Sequence, residues 1–173
     1  GAALINDIAA FRNPGALEAV RGSDVAICIM HMKGEPSTMQ VSPSYDDVVG
    51  EVKGFLDERV RYLLEGGVAP NRIVLDPGFG FGKTLDHNLE LLVRLAALRA
   101  DSYPVLVGMS RKSMLGAITG RPVNERVVAG AAAALVAMQN GARIIRTHDV
   151  AATRDVVRLW SQLRAAESEI RSC

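Results

Sequence analysis

The residues of this 173-residue chain that could do chemistry are an acid before a glycine-rich turn and two cationic clusters further along. Asp76 closes a short apolar run, residues 72–75. Pro77-Gly78-Phe79-Gly80-Phe81-Gly82-Lys83-Thr84 follows, and a helical pattern begins at Leu85. Glycines let the backbone approach a ligand closely. A strand ending in an acid, then a glycine loop, then a helix, is where parallel α/β proteins place function. A carboxylate at the end of a buried strand needs partners. One reading is a structural ion pair with Arg72, Lys83 or Arg111. The other is a bidentate grip on a flat ring edge bearing two N–H donors, much as a carboxylate holds guanidinium. Asn6 could add a donor and an acceptor to the same ring. Met30, Phe79 and Phe81 read either as core or as apolar walls suited to an aromatic substrate.

Arg146 and His148 lie two apart near a strand end and so share a face. They read as a two-pronged anion clamp or as a salt-bridged Arg beside a hydrogen-bonded His. Ser110-Arg111-Lys112-Ser113 follows the preceding strand, and Lys112 and Ser113 open a helix whose N-terminus favours an anion. Gly82-Lys83-Thr84 imitates a phosphate loop, but Pro77 stands where that motif needs its first glycine, and Pro has no N–H to give. The nucleotide reading is set aside. No Ser-His-Asp set or Cys-His pair stands at convincing positions, so covalent catalysis is not expected. His31 reads as a hydrogen-bonded residue at a strand end and His87 as part of a surface turn. The histidines and cysteines lack metal-ligand spacing, so no zinc site is expected.

The elements that must position these groups are five βα units. Residues 2–5, 25–30, 72–75, 105–107 and 143–146, apolar but for Arg72, Arg143 and Arg146, read as strands. Asn13-Pro14 should start the first helix, with Gly22 ending it. Ser44 should cap the second, with Asp47 three residues on, and Gly66-Gly67 should stop it. Tyr45, Val49, Val52, Leu56, Val60 and Leu63 form its core face, and Leu85, Leu89, Leu92 and Ala96 that of the next. An Ala-rich helix is expected over residues 124–140. The last helix should bury Val156, Val157, Trp160 and Leu163, then fray into a charged tail. Non-alternating apolar strands are covered on both sides, which means a parallel sheet. Polar residues close all five strands, the habit of a β/α barrel in which every strand end contributes to the site. A complete barrel has eight units, so the expectation is a partial (β/α)8 TIM barrel. It would form one domain over residues 1–173, with the first three units absent.

Aromatic residues are only 5%, so the core is aliphatic. Basic and acidic residues number 20 and 19 without a like-charge block, so neither nucleic acid nor a membrane surface is an expected partner. The uncharged apolar run over residues 129–138 is too short to span a bilayer. No signal peptide is evident. Cys28 in an apolar run and Cys173 at the end read as free thiols of a reducing compartment.

Five stretches make the chain resemble the dihydropteroate synthase family: Ile5-Asn6-Asp7-Ile8, Met30-His31-Met32, residues 76–83, residues 108–113, and Ile145-Arg146-Thr147-His148-Asp149. They occur in the family's order and spacing. The resemblance implies a cytoplasmic folate-pathway enzyme, usually a homodimer. It would join p-aminobenzoate to 6-hydroxymethyl-7,8-dihydropterin pyrophosphate with Mg²⁺ assisting. By the same resemblance, Asn6, Asp76 and Lys112 would hold the pterin, with Met30 and Gly108 lining its pocket. Arg146 and His148 would take the pyrophosphate, and Phe81, Lys112 and Ser113 would border the p-aminobenzoate site. The catalytic set would be Asp76, Lys112, Arg146 and His148. The family's metal-binding Asn, its first two mobile loops and the acid on its third strand match nothing here. No metal ligand is therefore expected in this chain, whose own turnover stays open. A non-catalytic fragment and another pterin-binding barrel, such as a methyltetrahydrofolate-dependent methyltransferase, are the alternatives.

Overall fold

A computed structural model describes residues 1–98 and 103–172; Cys173 lies outside the described residues. Strands β1 (Leu4–Asp7), β2 (Ala26–Met30) and β3 (Ile73–Asp76) pair in parallel in that order. Strands β4 (Leu106–Val107) and β5 (Ile144–Ile145) form a second parallel pair. A bridge from Leu75 to Val105 links β3 to β4, with Leu75 N–H donating to the Pro104 carbonyl at 3.0 Å. The order is thus sequential, each strand returning through helices, as in a section of a β/α barrel. Among the described residues β1 and β5 each have a strand neighbour on one side only.

Strand side chains alternate between two faces. Ile27, Ile29, Ile73, Leu75, Val105 and Val107 point outward into the main core shared with the helices. Cys28, Val74 and Leu106, with Leu4 and Ile144 beside them, form a smaller apolar layer on the inner face. Burial on both faces is the physical reason these strands read as unbroken apolar runs. By the same parity, Asn6, Met30 and Asp76 sit on the inner face at the C-terminal ends of their strands. Gly108 and Arg146 stand one pleat beyond Leu106 and Ile144.

The helices are α1 (Ala16–Arg21), α2 (Val48–Glu65), α3 (Leu85–Val93), α4 (Ser113–Thr119), α5 (Val127–Gln139) and α6 (Val150–Ser172). Short 3₁₀ turns at Pro70–Arg72, Leu95–Leu98 and Val123–Glu125 fill the joints. Helix α1 starts after Gly15, at φ 77°, and not at Asn13-Pro14. The start falls two residues later than expected because Gly15 is left-handed, and just upstream Ala10 and Phe11 take positive φ and kink the chain. Buried Arg59 on α2 holds that kink, donating to the Ala10 carbonyl at 2.9 Å and the Phe11 carbonyl at 3.2 Å.

Helix α2 is capped by the backbone of Asp47, without Ser44; its core face is as expected from Val49 to Leu63, with Val48 added, while half-buried Tyr45 precedes the helix. Helix α3 turns a different face inward from the one its leucines suggest. Asn88, Leu91 and Leu92 are buried, whereas Leu89 is 37% exposed and Ala96 lies on the surface beyond the helix end. The loop needs Asn88 beneath it, and that requirement sets the rotation. The Ala-rich stretch begins at Val127 because residues 123–125 form a 3₁₀ turn. Helix α6 runs on through Ser172 without fraying. Val156, Val157 and Trp160 are half-buried and Leu163 is exposed.

Candidate functional site

Asp76 is 1% exposed at the inner end of β3. Its Oδ1 accepts the Gly78 N–H at 2.8 Å, and among the described residues its Oδ2 accepts no hydrogen bond. Burial pushes this carboxyl up from the usual range, against the pull of the Gly78 N–H, Arg146, Lys112 and Lys83. Oδ2 lies 3.7 Å from Nη2 of Arg146, at the head of the inner face. The buried Oδ1 of Asn6 is likewise without a partner among the described residues. Two enclosed acceptor oxygens therefore face one lumen, each able to receive an N–H.

The glycine loop has its shape for steric reasons. Gly78, at φ 67°, lies so close to β2 that a Cβ would stand 1.9 Å from the His31 carbonyl oxygen. Gly82, at φ 63°, would bring a Cβ to 2.2 Å from the Lys33 carbonyl oxygen. Asn88 braces the loop from α3, its Oδ1 accepting the Gly80 N–H at 2.7 Å and its Nδ2 donating to the Thr84 carbonyl at 2.6 Å. Tyr45 Oη donates to the Gly82 carbonyl at 2.8 Å, and Gln40 Nε2 donates to the Gly80 carbonyl. Phe79 is fully buried in the main core. Phe81 stays half-buried, with Nζ of Lys112 4.6 Å above its ring.

Lys112 caps α4 and reaches back across the loop, donating to the Phe79 carbonyl. Burial brings its ammonium down to about 8, with Asp76 opposing and Arg146 adding to the fall. The Arg146 guanidinium lies over Gly108, where a Cβ would come within 2.9 Å of its Nε and Nη2. Absence of a side chain at 108 is what lets the arginine reach Asp76. Gly108, Ser110, Lys112, Arg146, Thr147 and His148 line a cleft of about 300 Å³ between the last two strand ends. His148 is exposed there; its Nδ1 lies 3.1 Å from Ser110 Oγ, which also accepts the His148 N–H at 3.2 Å. Arg111, at φ 61°, is paired with Asp149 at 2.6 and 3.2 Å. That pair binds the loop after β4 to the loop after β5. Ser113 opens α4 on the exposed side.

The structure corrects several partners. Arg72 does not reach Asp76; it donates to the Val20, Arg21 and Val25 carbonyls at the opposite end of the barrel. Arg111 serves Asp149, and it is Arg146 that answers Asp76. His87 belongs to the first turn of α3, where it and Thr84 form a reciprocal cap at 3.2 and 3.3 Å. His31 is indeed hydrogen-bonded, with Lys83 as its partner. Lys83, Asn88 and Gln40 were missed as loop supports. The only sequence signal for any of them is Asn88 standing one helical turn after Thr84.

A barrel section that gathers an enclosed acid, a glycine loop and a cationic cleft at its strand ends sets acceptor oxygens beside cations, the usual place for function in parallel α/β proteins. The pterin binding enzyme family model matches residues 1–148, and the chain belongs to that family. Dihydropteroate synthase of Haemophilus influenzae is 48% identical over 160 residues, covering 92% of this chain and 58% of its own length. The crystal structure of Yersinia pestis dihydropteroate synthase with a sulfonamide drug superposes with TM-score 0.93 at 44% identity, over 96% of this chain and 61% of that one. The Burkholderia cenocepacia enzyme complexed with 7,8-dihydropteroate gives 0.89 at 53% identity, over 96% and 62%. The chain thus spans about three fifths of the length of these relatives.

Proposed function

We propose that this chain carries the pterin and diphosphate subsites of a dihydropteroate synthase, a transferase of folate biosynthesis. The reaction joins 6-hydroxymethyl-7,8-dihydropterin pyrophosphate to p-aminobenzoate. The amine nitrogen attacks the methylene carbon beside the pterin ring and a C–N bond forms. The C–O bond breaks, pyrophosphate leaves with the bonding pair, and the surplus amine proton passes to solvent. The observation that carries this reading is the pair of buried acceptors, Asp76 Oδ2 and Asn6 Oδ1, unpartnered among the described residues, beside a cationic cleft.

Asp76 receives two ring N–H donors and offsets positive charge that grows on the ring as the bond breaks. Asn6 meets the ring edge beside it, and Met30, Gly108 and the Lys112 stem line the ring's faces. Arg146 and His148 hold the diphosphate and disperse the charge developing on the leaving group. Phe81, Lys112 and Ser113 border the p-aminobenzoate amine, which attacks in its neutral form, so that positioning matters more than a strong base. Among the described residues no group of three or more His, Cys, Asp or Glu side chains could hold a metal ion. The cleft is lined by cations and neutral donors, the wrong set for a hard cation such as Mg²⁺. The residues present do not fit that ion, and no step here is routed through it.

No described helix is long and apolar enough to cross a membrane. The reading carries with it the expectation of a cytoplasmic protein and a homodimer. Calorimetry with the pterin pyrophosphate and with p-aminobenzoate, together with a turnover assay, tests it. Binding of both substrates is the expected result, and turnover with it would show that this chain carries the whole reaction. Binding without turnover would leave a ligand-holding fragment. Binding of methyltetrahydrofolate in preference to the pterin pyrophosphate would point to a methyltransferase.

A further inference from the structure

Lys83 has no part in the reaction as written, yet it is only 3% exposed. Its Nζ lies 2.9 Å from His31 Nδ1, 3.0 Å from the Gly78 carbonyl oxygen and 3.1 Å from that of Phe81. An ammonium has three N–H bonds, and three acceptors surround this one. His31 Nδ1 is then an acceptor and the imidazole is neutral, held down to about 3 by burial and by the Lys83 charge. The two carbonyls belong to the loop whose Gly78 N–H donates to Asp76 Oδ1 at 2.8 Å. From the other side, the His31 N–H donates to the Asp76 carbonyl at 3.0 Å.

We infer that Lys83 is a positioning residue for Asp76, whose ammonium ties the Gly78 and Phe81 carbonyls of the glycine loop to His31 after β2 and so fixes the Gly78 N–H on the carboxylate. The inference rests on the pterin site proposed above. The charged and titratable groups facing Lys83 are Asp76 on β3, His31 after β2 and Lys112 before α4. Those facing Asp76 are Arg146, Lys112, Lys83 and the buried Cys28 thiol on β2. Burial brings the Lys83 amine down to about 7, with Asp76 opposing. An enclosed cation is costly unless compensated, and the Asp76 loop supplies that compensation.

Lys83→Gln keeps donors without charge, and Lys83→Met keeps neither. In the full chain, the acid limb of 6-hydroxymethylpterin binding and the Asp76 carboxyl titration followed by ¹³C NMR should both move up in each variant, since each removes a cation that lowers the Asp76 pKa. At a fixed pH on that limb, affinity should fall about tenfold for each pH unit of that movement. In Lys83→Gln the affinity should return to near wild type on the plateau above the limb, whereas Lys83→Met stays weaker because its loop is released. An Asp76 titration unmoved in both variants overturns the inference. The coupling is reciprocal, so Asp76→Asn, a neutral isostere, should lower the titration of the Lys83 amine. No change there overturns the inference independently of how the Lys83 variants fold. If wild-type protein bound no pterin while the Asp76 titration still moved, the proposed function would fall and the role of Lys83 would stand.

Discussion

Nη2 of Arg146 lies 3.7 Å from Oδ2 of Asp76, joining the ends of β5 and β3 across the inner face. The distance is too long for a hydrogen bond, so the two are an ion pair in which each partner keeps its donors or acceptors. The arginine side chain is 44% exposed and the aspartate's 2%, so the charge of the pair is open to a ligand on one side only. On the function proposed above, the enclosed acid serves the ring and the exposed cation the diphosphate.

Asp76→Asn should therefore abolish pterin recognition while leaving the fold intact. Two hydrogen bonds to a charged group are worth about 3 kcal/mol or more together, so calorimetry should show at least about a 100-fold loss of affinity for a pterin analogue. Near-normal binding by the variant would remove Asp76 from the site.

The same variant should be more stable than the parent at neutral pH. The folded-state pKa of Asp76 is raised above its unfolded value by burial. The folded protein thus binds the proton more readily, and this group's contribution to stability falls as pH rises from the ordinary aspartate range through the folded pKa. Neutralising the residue removes that penalty. The midpoint of thermal unfolding should rise by about 2–4 °C for each kcal/mol recovered. A midpoint that dropped in Asp76→Asn would contradict the account.

Arg146→Ala should weaken pyrophosphate binding about 10- to 100-fold, the loss of charge-assisted hydrogen bonds to one guanidinium. Titration with pyrophosphate alone reads this without turnover. An unchanged dissociation constant would dismiss the clamp.

Gly78→Ala should be severely destabilising. Its φ of 67° disfavours any side chain, and the added Cβ would press on the backbone oxygen of His31, which cannot swing aside. The expected loss is above about 2 kcal/mol, with pterin binding lost too because the Gly78 N–H would leave Asp76 Oδ1. A melting curve close to wild type would show that the loop tolerates displacement.

His31 gives a prediction of opposite sign to Asp76. Its pKa is lowered from about 6.5 to about 3 by burial and by Lys83. The unfolded chain then binds the extra proton first, so this group's contribution is present above about pH 6.5 and is lost as pH falls toward 3. His31→Asn places an acceptor oxygen near the position of Nδ1 and cannot titrate. Urea unfolding of the two proteins between pH 7 and 4 should show the parent losing stability relative to the variant on acidification. Parallel curves would place the imidazole in a more solvated setting than its contacts describe.

The sequence by itself determined the strand ends and the residues that stand on them. Apolar runs closed by Asn6, Asp76 and Arg146, with glycines at 78, 80, 82 and 108, are local patterns, and strand parity then sends those groups to one face. Tertiary structure alone decided which cation answers which acid. Arg72 is four residues from Asp76 in the chain but caps α1 at the far end of the barrel, whereas Arg146, seventy residues away, arrives over Gly108. It also turned α3 so that Asn88 is buried in place of Leu89, and drew Lys83 inward under the loop. A buried charge is satisfied by whatever group packing brings within reach. That reach is set by contacts between distant segments, which no local spacing records.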